Sequence, residues 1–187
     1  MKEKREANTL NFLERTTKSE RIFEGQIINL RVDIVKLPNG NISTREVVEH
    51  PGGVGIIPIT DEQEVIMVRQ FRKPLETVTL EIPAGKLSYG EDPYVCGVRE
   101  LEEETGYKAK RVESLGSIYT SPGFANEILH LYMATDLYKG VFNPDEDEFV
   151  ETEVITLEKL VEMIMQGEVQ DAKSIIAILR VWQMIKN

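Results

Sequence analysis

Cysteine and histidine are scarce in this chain, which has one cysteine and two histidines among its 187 residues. The single cysteine, Cys96, cannot form an internal disulfide, and so few cysteines and histidines do not supply the ligand spacing of a zinc site. The first residues, "MKEKREANTLNFLERTTK", also lack the apolar segment of a signal peptide. These absences predict a location in the reducing cytoplasm.

Positive charge is scarce as well, because 22 lysines and arginines face 32 aspartates and glutamates, for a net charge of −10. This balance excludes a role that depends on general attraction to nucleic-acid phosphates. A small anionic substrate stays open if cations mediate its binding. With 41% hydrophobic and 29% charged residues, the composition predicts a globular protein that is neither disordered nor membrane-spanning.

Two strand patterns joined by a turn predict a β-hairpin near the start of the chain. The strand patterns cover residues 24–37 and 42–50, and the turn is "PNGN" at 38–41. The sequence "HPGG" then breaks the pattern. We therefore predict a small amino-terminal β domain over residues 1–49 and a larger domain over 50–187.

The larger domain contains strand patterns on both sides of one predicted helix, and it ends in two segments with the apolar spacing of amphipathic helices. Strands thus outnumber helices. This order predicts an α/β fold in which a mixed β-sheet is sandwiched between helices.

The internal helix is predicted over residues 93–105. Asp92 suits the N-cap, Pro93 suits the first helical position, and Gly106 suits a left-handed stop. Helical periodicity predicts a packed face and an acidic face on opposite sides, with Glu102 apart from both in solvent. The packed face comprises Tyr94, Val98, Leu101 and Thr105, and the acidic face comprises Glu100, Glu103 and Glu104.

The three glutamates of the acidic face repel one another, at a cost of roughly a few tenths of a kcal/mol per neighbouring pair. One interpretation is a solvent-exposed acidic surface. The other is a site for a hard divalent cation, because Mg²⁺ prefers carboxylate oxygens and completes its coordination with water and substrate phosphates. The spacing alone leaves both interpretations open.

Residues 85–107, "GKLSYGEDPYVCGVRELEEETGY", resemble the Nudix box, whose pattern is G-x5-E-x7-R-E-U-x-E-E-x-G-U with U a bulky aliphatic residue. The positions in register are Gly85, Glu91, Arg99, Glu100, Leu101, Glu103, Glu104 and Gly106. The one departure is Tyr107 at the closing aliphatic position, which affects packing and leaves the acidic residues unchanged. The resemblance favours the cation site.

The resemblance implies the Nudix fold and a magnesium cluster, with Mn²⁺ as an alternative ion. Glu100 and Glu104 would be the main ligands, and Glu103 and the backbone carbonyl of Ala84 would assist them. Arg99 and Glu91 would form a structural ion pair. The reaction class implied is hydrolysis of a nucleoside diphosphate linked to another group, in which bound metal activates water and neutralises phosphate charge.

Features outside the box resemble the ADP-ribose pyrophosphatase branch of this family. These are "EIPAGK" at 81–86, Pro122 sixteen residues after Gly106, and the amino-terminal hairpin. The branch implies a homodimer that exchanges its small domains, and a substrate, ADP-ribose, that is split into AMP and ribose 5-phosphate. The alternatives are another nucleoside diphosphate sugar, such as an ADP-hexose or GDP-mannose, and a non-catalytic sensor that binds ADP-ribose.

The same resemblance implies several substrate contacts. Phe23 would stack on adenine, Arg45 and Arg72 would contact phosphate or ribose oxygens, Glu81 would shape the site, and Glu127 would approach metal or substrate. The alternatives are a core aromatic for Phe23 and exposed strand charges for the two arginines.

The acidic segment "NPDEDEFVE" at 143–151 is implied to carry the residue that activates water. Two of its glutamates fit this role, and the resemblance does not separate them: Glu148 is the first choice and Glu146 is its alternate. From composition alone, the segment is equally a solvated linker.

Overall fold

A computed structural model describes residues 12–145 and 148–186. The chain divides into two compact units, which we call the amino-terminal unit (Met1–Pro51 with Ser121–Glu127) and the main unit (Gly52–Thr120 with Ile128–Asn187). The sequence did not predict the return of Ser121–Glu127 to the amino-terminal unit. Within the described ranges, no helix is long and apolar enough to cross a membrane.

The amino-terminal unit is built on a three-stranded antiparallel sheet in the order β1-β2-β3, with β1 at Arg15–Glu24, β2 at Asn29–Lys36 and β3 at Ile42–Glu49. The predicted hairpin is β2–β3 and is confirmed. β1 was not predicted, because its residues "RTTKSERIFE" are all exposed and show no apolar alternation.

The described residues of the main unit form two sheets. One has the order β7-β4-β9-β8, with β7 at Ala84–Lys86, β4 at Gly53–Pro58, β9 at Ile128–Lys139 and β8 at Tyr107–Tyr119. Because β4 runs parallel to β9 and antiparallel to β7, this sheet is mixed, as predicted. The other has the order β10-β5-β6, with β10 at Val150–Thr156, β5 at Glu64–Arg72 and β6 at Thr77–Glu81.

The described residues of the main unit form three α-helices: α1 at Pro93–Thr105, α2 at Leu157–Gln166 and α3 at Ala172–Lys186. α1 and α3 pack against the mixed sheet, whereas α2 packs against α3 and β10. β4 is buried along its whole length, which is typical of a strand covered on both faces. Ile56 packs with Leu101 of α1, and its neighbour Ile57 belongs to the core that Ile178 of α3 shares. Full burial of each such side chain contributes about 1.5–3 kcal/mol.

The predicted ends of α1 are confirmed. Asp92 Oδ1 accepts hydrogen bonds from the N–H groups of Tyr94 at 2.8 Å and Val95 at 3.4 Å. Gly106 has a left-handed φ of 70°, and its N–H donates to the carbonyl of Glu102 at 2.8 Å. Local capping chemistry therefore determined both ends of this helix.

The predicted faces of α1 are partly wrong. Tyr94 of the predicted packed face is 48% exposed, whereas Glu100 and Glu104 of the predicted acidic face are buried. The reason is tertiary, because α1 packs against β4 and β7 as well as β8. Glu102 is not a solvated bystander either. Its carboxylate lies 3.1 Å from Lys108 Nζ and accepts a hydrogen bond from the Val141 N–H at 3.1 Å.

Candidate active site

Two buried glutamates one turn apart on α1 form the centre of the candidate site. Glu100 is 6% exposed and Glu104 is 1% exposed. A Cβ on Gly85 would overlap the Glu100 carboxylate, so the absence of a side chain there makes room for this carboxylate beside β7. The N–H of Ala84, also in β7, donates to Glu104 Oε2 at 3.0 Å. Residues of β7 therefore lie directly beside both carboxylates.

Burial changes the acidity of this pair. Loss of solvation raises the pKa of Glu100 to about 7, an effect that neighbouring Arg99 opposes only in part. Burial also raises the pKa of Glu104 to about 8, although the Ala84 N–H acts in the opposite direction. The two carboxylates thus bring more negative charge into the site than their surroundings compensate. Buried oxygen donors with uncompensated charge suit a hard divalent cation.

Arg99 links three acidic residues of the predicted site. Its Nη1 lies 2.8 Å from Glu100 Oε1 and 2.7 Å from Glu103 Oε2. Its Nη2 lies 3.3 Å from Glu91 Oε1, so the predicted ion pair between Arg99 and Glu91 is present. In residues 12–145 and 148–186, no three acidic, histidine or cysteine side chains are already gathered in the geometry of a metal site. The donor chemistry nevertheless fits a divalent ion.

Glu148 lies within electrostatic range of the buried pair. Beyond the dominant effect of burial, its negative charge contributes to the raised pKa of Glu100 and to that of Glu104. Its N–H donates to the Asp145 carbonyl at 2.9 Å. The alternate candidate, Glu146, lies outside the described residues. The described part of the acidic segment therefore brings one predicted base close to the predicted ligands.

A buried ion network joins β5, β6 and α3 in the main unit. Arg72 donates from Nε to Glu81 Oε1 at 2.7 Å and from Nη2 to Glu81 Oε2 at 2.6 Å. Lys173 Nζ also donates to Glu81 Oε2, and Thr79 Oγ1 donates to Oε1 at 2.5 Å. Burial tends to raise the pKa of Glu81, but Arg72 and Lys173 outweigh it and lower this pKa to about 2. Glu81 is therefore ionised and held on both oxygens.

A cavity of about 430 Å³ opens beside this network. Charged and polar side chains from β5, β6 and the start of α3 line it, and the β5–β6 turn adds an apolar wall. Its lining residues are Arg72, Pro74, Leu75, Thr79, Glu81, Gln170, Asp171, Ala172 and Lys173. The cavity is large enough to hold part of a nucleotide-sized ligand.

Sequence reasoning missed Asp171, Lys173 and Ser174 at the start of α3. Ser174 donates to Asp171 Oδ2 from Oγ at 2.5 Å and from N–H at 3.0 Å, and its Oγ accepts from the Ile82 N–H at 2.8 Å. One signal was available, because a lysine in the first turn of a helix opposes the helix dipole. Its partner Glu81 is 92 residues away in the chain, and no local pattern indicated that contact.

Three predicted substrate contacts belong to the amino-terminal unit. Phe23 is 53% exposed on β1, so the alternative that it is a core aromatic is wrong. Arg45 binds Glu14 with two hydrogen bonds, from Nε at 2.8 Å and from Nη2 at 2.5 Å. Glu127 Oε1 lies 3.2 Å from His50 Nδ1.

Two family models and several known proteins are similar to this chain in sequence. Residues 49–177 match the model of the NUDIX domain, and residues 14–48 match that of the nucleoside diphosphate sugar hydrolase N-terminal domain. The chain is 52% identical to the methanol dehydrogenase activator of Bacillus methanolicus, over 89% of this chain and 91% of the relative. It is 51% identical to the ADP-ribose pyrophosphatase of Bacillus subtilis, over 88% and 90%.

The fold has a close counterpart among solved structures. The crystal structure of an ADP compounds hydrolase matches with a TM-score of 0.82 and 22% identity, over 92% of this chain and 94% of that chain. This likeness supports the architecture of the mixed sheet and its helices. With the NUDIX domain match over most of its length and relatives above 50% identity, the chain belongs to the Nudix hydrolase family.

Proposed function

We propose that this protein hydrolyses the diphosphate of ADP-ribose to give AMP and ribose 5-phosphate, with Mg²⁺ as its ion and Mn²⁺ as the alternative. The observation that carries the proposal is a pair of buried carboxyl groups on the helix of the Nudix box, Glu100 and Glu104, whose charge when ionised is offset only in part by their surroundings. Similarity to an ADP-ribose pyrophosphatase along most of the chain supports the choice of substrate.

Nudix hydrolases generally need a divalent metal ion. In this chain Glu100 and Glu104 would hold it, and Glu103 and the Ala84 carbonyl would be further oxygen donors. When bound, such an ion lowers the pKa of a water molecule and neutralises charge on phosphate oxygens. This also explains how an acidic protein binds an acidic substrate.

The chain's own residues supply the other parts of the reaction. Glu148 takes the proton of the attacking water as general base. Water attacks one phosphorus of the diphosphate, and the bond from that phosphorus to the bridging oxygen breaks. Arg72 donates hydrogen bonds to phosphate or ribose oxygens from the part of its guanidinium that Glu81 does not occupy. Glu81 keeps that guanidinium in place.

The substrate is tested with a panel of ADP-ribose, ADP-glucose and GDP-mannose at saturating Mg²⁺. We expect kcat/KM for ADP-ribose to exceed the others by roughly tenfold or more, because adenine and ribose contacts add to a shared diphosphate site. A tenfold preference for GDP-mannose would overturn the choice of substrate and leave the reaction class intact. Tight binding of ADP-ribose without any cleavage would support the sensor alternative instead.

The raised pKa values of Glu100 and Glu104 predict that the free energy of unfolding of the metal-free chain depends on pH. In the metal-free chain, the pKa values of about 7 for Glu100 and about 8 for Glu104 exceed the ordinary value of 4.5. Between about pH 5 and pH 8 the folded chain then binds more protons than the unfolded chain, so its free energy of unfolding falls as pH rises. A metal ion takes the place of these protons, so Mg²⁺ stabilises the chain more at high pH.

Thermal unfolding in chelator and in Mg²⁺ measures this effect. In chelator, we expect Tm to fall by roughly 5–10 °C between about pH 6 and pH 8. Added Mg²⁺ should raise Tm more at the higher pH. Glu104→Gln should lose most of both effects, and Glu158→Gln, an exposed change on α2, should lose neither. An equal Mg²⁺ effect at both pH values would contradict the ligand role.

We further propose a cytoplasmic homodimer in which the amino-terminal unit of one copy completes the active site of its partner. β1 is exposed along its length, and the unit carries large exposed apolar side chains that a second copy would cover: Phe12, Ile22, Phe23, Ile27 and Ile42. In this arrangement Phe23 and Arg45 serve the partner's site.

Complementation between two inactive variants tests the shared site. Arg45→Ala damages the amino-terminal contribution, and Glu104→Gln damages the main unit. Co-expressed, they should form heterodimers with one intact site, which recover up to about a quarter of wild-type activity. Co-expressed Glu104→Gln and Glu148→Gln are the control, because every site then keeps one damaged main unit. Sedimentation as a monomer, or a dimer without recovery, would contradict the proposal.

A second candidate function is activation of a methanol dehydrogenase. The observation that favours it is 52% identity to a protein of that name, as high as the identity to the pyrophosphatase. The test adds the purified protein and Mg²⁺ to methanol dehydrogenase with its cofactor. A several-fold higher turnover that is lost with Glu104→Gln would establish the second function, and an unchanged turnover would exclude it.

A further inference from the structure

We infer that Lys173 is a positioning residue for substrate binding: through the buried carboxylate of Glu81 it holds the Arg72 guanidinium at the edge of the cavity. This inference rests on the proposed function, in which Arg72 contacts the substrate. It adds to that proposal a residue of α3 that lies outside the Nudix box.

Stability alone does not explain why a lysine occupies position 173. Lys173 is 7% exposed and lies in the first turn of α3, where the helix dipole disfavours a positive charge. Burial of an ammonium group is unfavourable unless carboxylates offset it, and an apolar residue of similar size often stabilises the fold equally well. The carboxylates here are Glu81, which accepts from Nζ, and Asp171, whose Oδ2 lies 3.1 Å away.

Glu81 transmits the position of Lys173 to Arg72. Its Oε2 accepts from both Lys173 and Arg72, and its Oε1 accepts from Arg72 and Thr79. Four donors therefore fix both oxygens, and the carboxylate cannot rotate without losing a hydrogen bond. Arg72 is committed through Nε and one N–H of Nη2, so within residues 12–145 and 148–186 both N–H groups of Nη1 and the second N–H of Nη2 are the donors left for a ligand.

Lys173 also affects the charge that Arg72 presents. With Glu81 as its sole counter-ion, Arg72 would form a neutral ion pair, which attracts phosphate only weakly. Lys173 shares that carboxylate, so Glu81 offsets the positive charge of Arg72 at the cavity less fully, while Asp171 supplies the second negative charge of a network that is neutral as a whole.

Steady-state kinetics of Lys173→Met separate positioning from general stability. We expect KM for ADP-ribose to rise about tenfold while kcat stays within about threefold, because a misplaced guanidinium weakens binding. Calorimetry with ADP-ribose in chelator should show the same loss of affinity without turnover. Arg69→Met is the matched control. Arg69 lies on the same strand, β5, as Arg72, and the change removes only an exposed ion pair with Glu153 of β10, so KM should stay unchanged.

A double-mutant cycle shows whether Lys173 acts through Arg72. Arg72→Ala should raise KM, and Lys173→Met in that background should raise it no further. Equal, additive effects of the two changes, or an unchanged KM in Lys173→Met, would overturn the inference while ADP-ribose cleavage stands. An unchanged KM in Arg72→Ala would show that Arg72 does not contribute to substrate binding, and the inference about Lys173 would fail with it. If the wild type does not cleave ADP-ribose, the proposed function fails, and this inference falls with it.

A compensated variant covers the case in which Lys173→Met does not fold. Glu81→Gln combined with Lys173→Met removes the two almost fully buried charges, and the ions that then lose these partners, Arg72 and Asp171, are partly exposed. Arg72 then lacks its carboxylate, and we expect the same rise in KM of about tenfold. A wild-type KM in this folded variant would overturn the inference.

Discussion

Glu104→Gln is expected to lower kcat for ADP-ribose by at least about a hundredfold, because it removes one charge from the proposed metal ligands. Glutamine keeps the size of the side chain and an oxygen that can accept the hydrogen bond from the Ala84 N–H. The neutral side chain resembles the protonated form that burial already favours at this position. The chain should therefore remain folded, with a Tm in chelator that is not reduced.

The measurement is kcat as a function of Mg²⁺ concentration, beside the Tm of the same preparation. Glu102→Gln is the matched control, because it lies on the same helix and contacts Lys108 and Val141 outside the buried pair. We expect that control to keep kcat within about twofold. Turnover of Glu104→Gln near the wild-type value, with the same Mg²⁺ dependence, would rule out the ligand role.

Glu148→Gln is expected to lower kcat by about 10²–10⁴-fold while Mg²⁺ affinity is largely kept, because it removes the general base and not a main ligand. The charge of Glu148 reaches both Glu100 and Glu104, which supports its place beside the attacking water. Glutamine can still accept a hydrogen bond from water but cannot take its proton.

The same assay on Glu146→Gln decides between the two glutamates of the acidic segment. We expect that variant to keep kcat within a few-fold of the wild-type value. A large loss in Glu146→Gln with normal turnover in Glu148→Gln would move the base to Glu146. Equal, small losses in both would show that neither glutamate is the base.

The parts of the fold that the sequence predicted are those that local chemistry determines. α1 begins and ends where Asp92, Pro93 and Gly106 indicated, because caps act within one turn. The β2–β3 hairpin followed from its turn and its alternation. β1 escaped prediction because an exposed strand needs no apolar periodicity.

The parts of the site that the sequence missed depend on distant contacts. Periodicity placed Glu100 and Glu104 opposite the packed face and left their exposure open, because it could not show that β7 covers them and that Gly85 leaves room for a carboxylate. No sequence pattern around Lys173 indicated that Glu81 is its partner, because Glu81 lies on another element, 92 residues away in the chain. The Nudix box thus pointed to Glu100 and Glu104, and tertiary packing accounts for their burial and their raised pKa values.

In the proposed reaction, buried carboxylates of α1 bind a divalent ion for hydrolysis of ADP-ribose. AMP release from ADP-ribose by the chelator-treated protein, before and after Mg²⁺ is restored, tests this role. We expect negligible release in chelator and fast release with Mg²⁺ in the wild type, with Glu104→Gln inactive in both. Equal release with and without Mg²⁺, or no release under either condition, would contradict it.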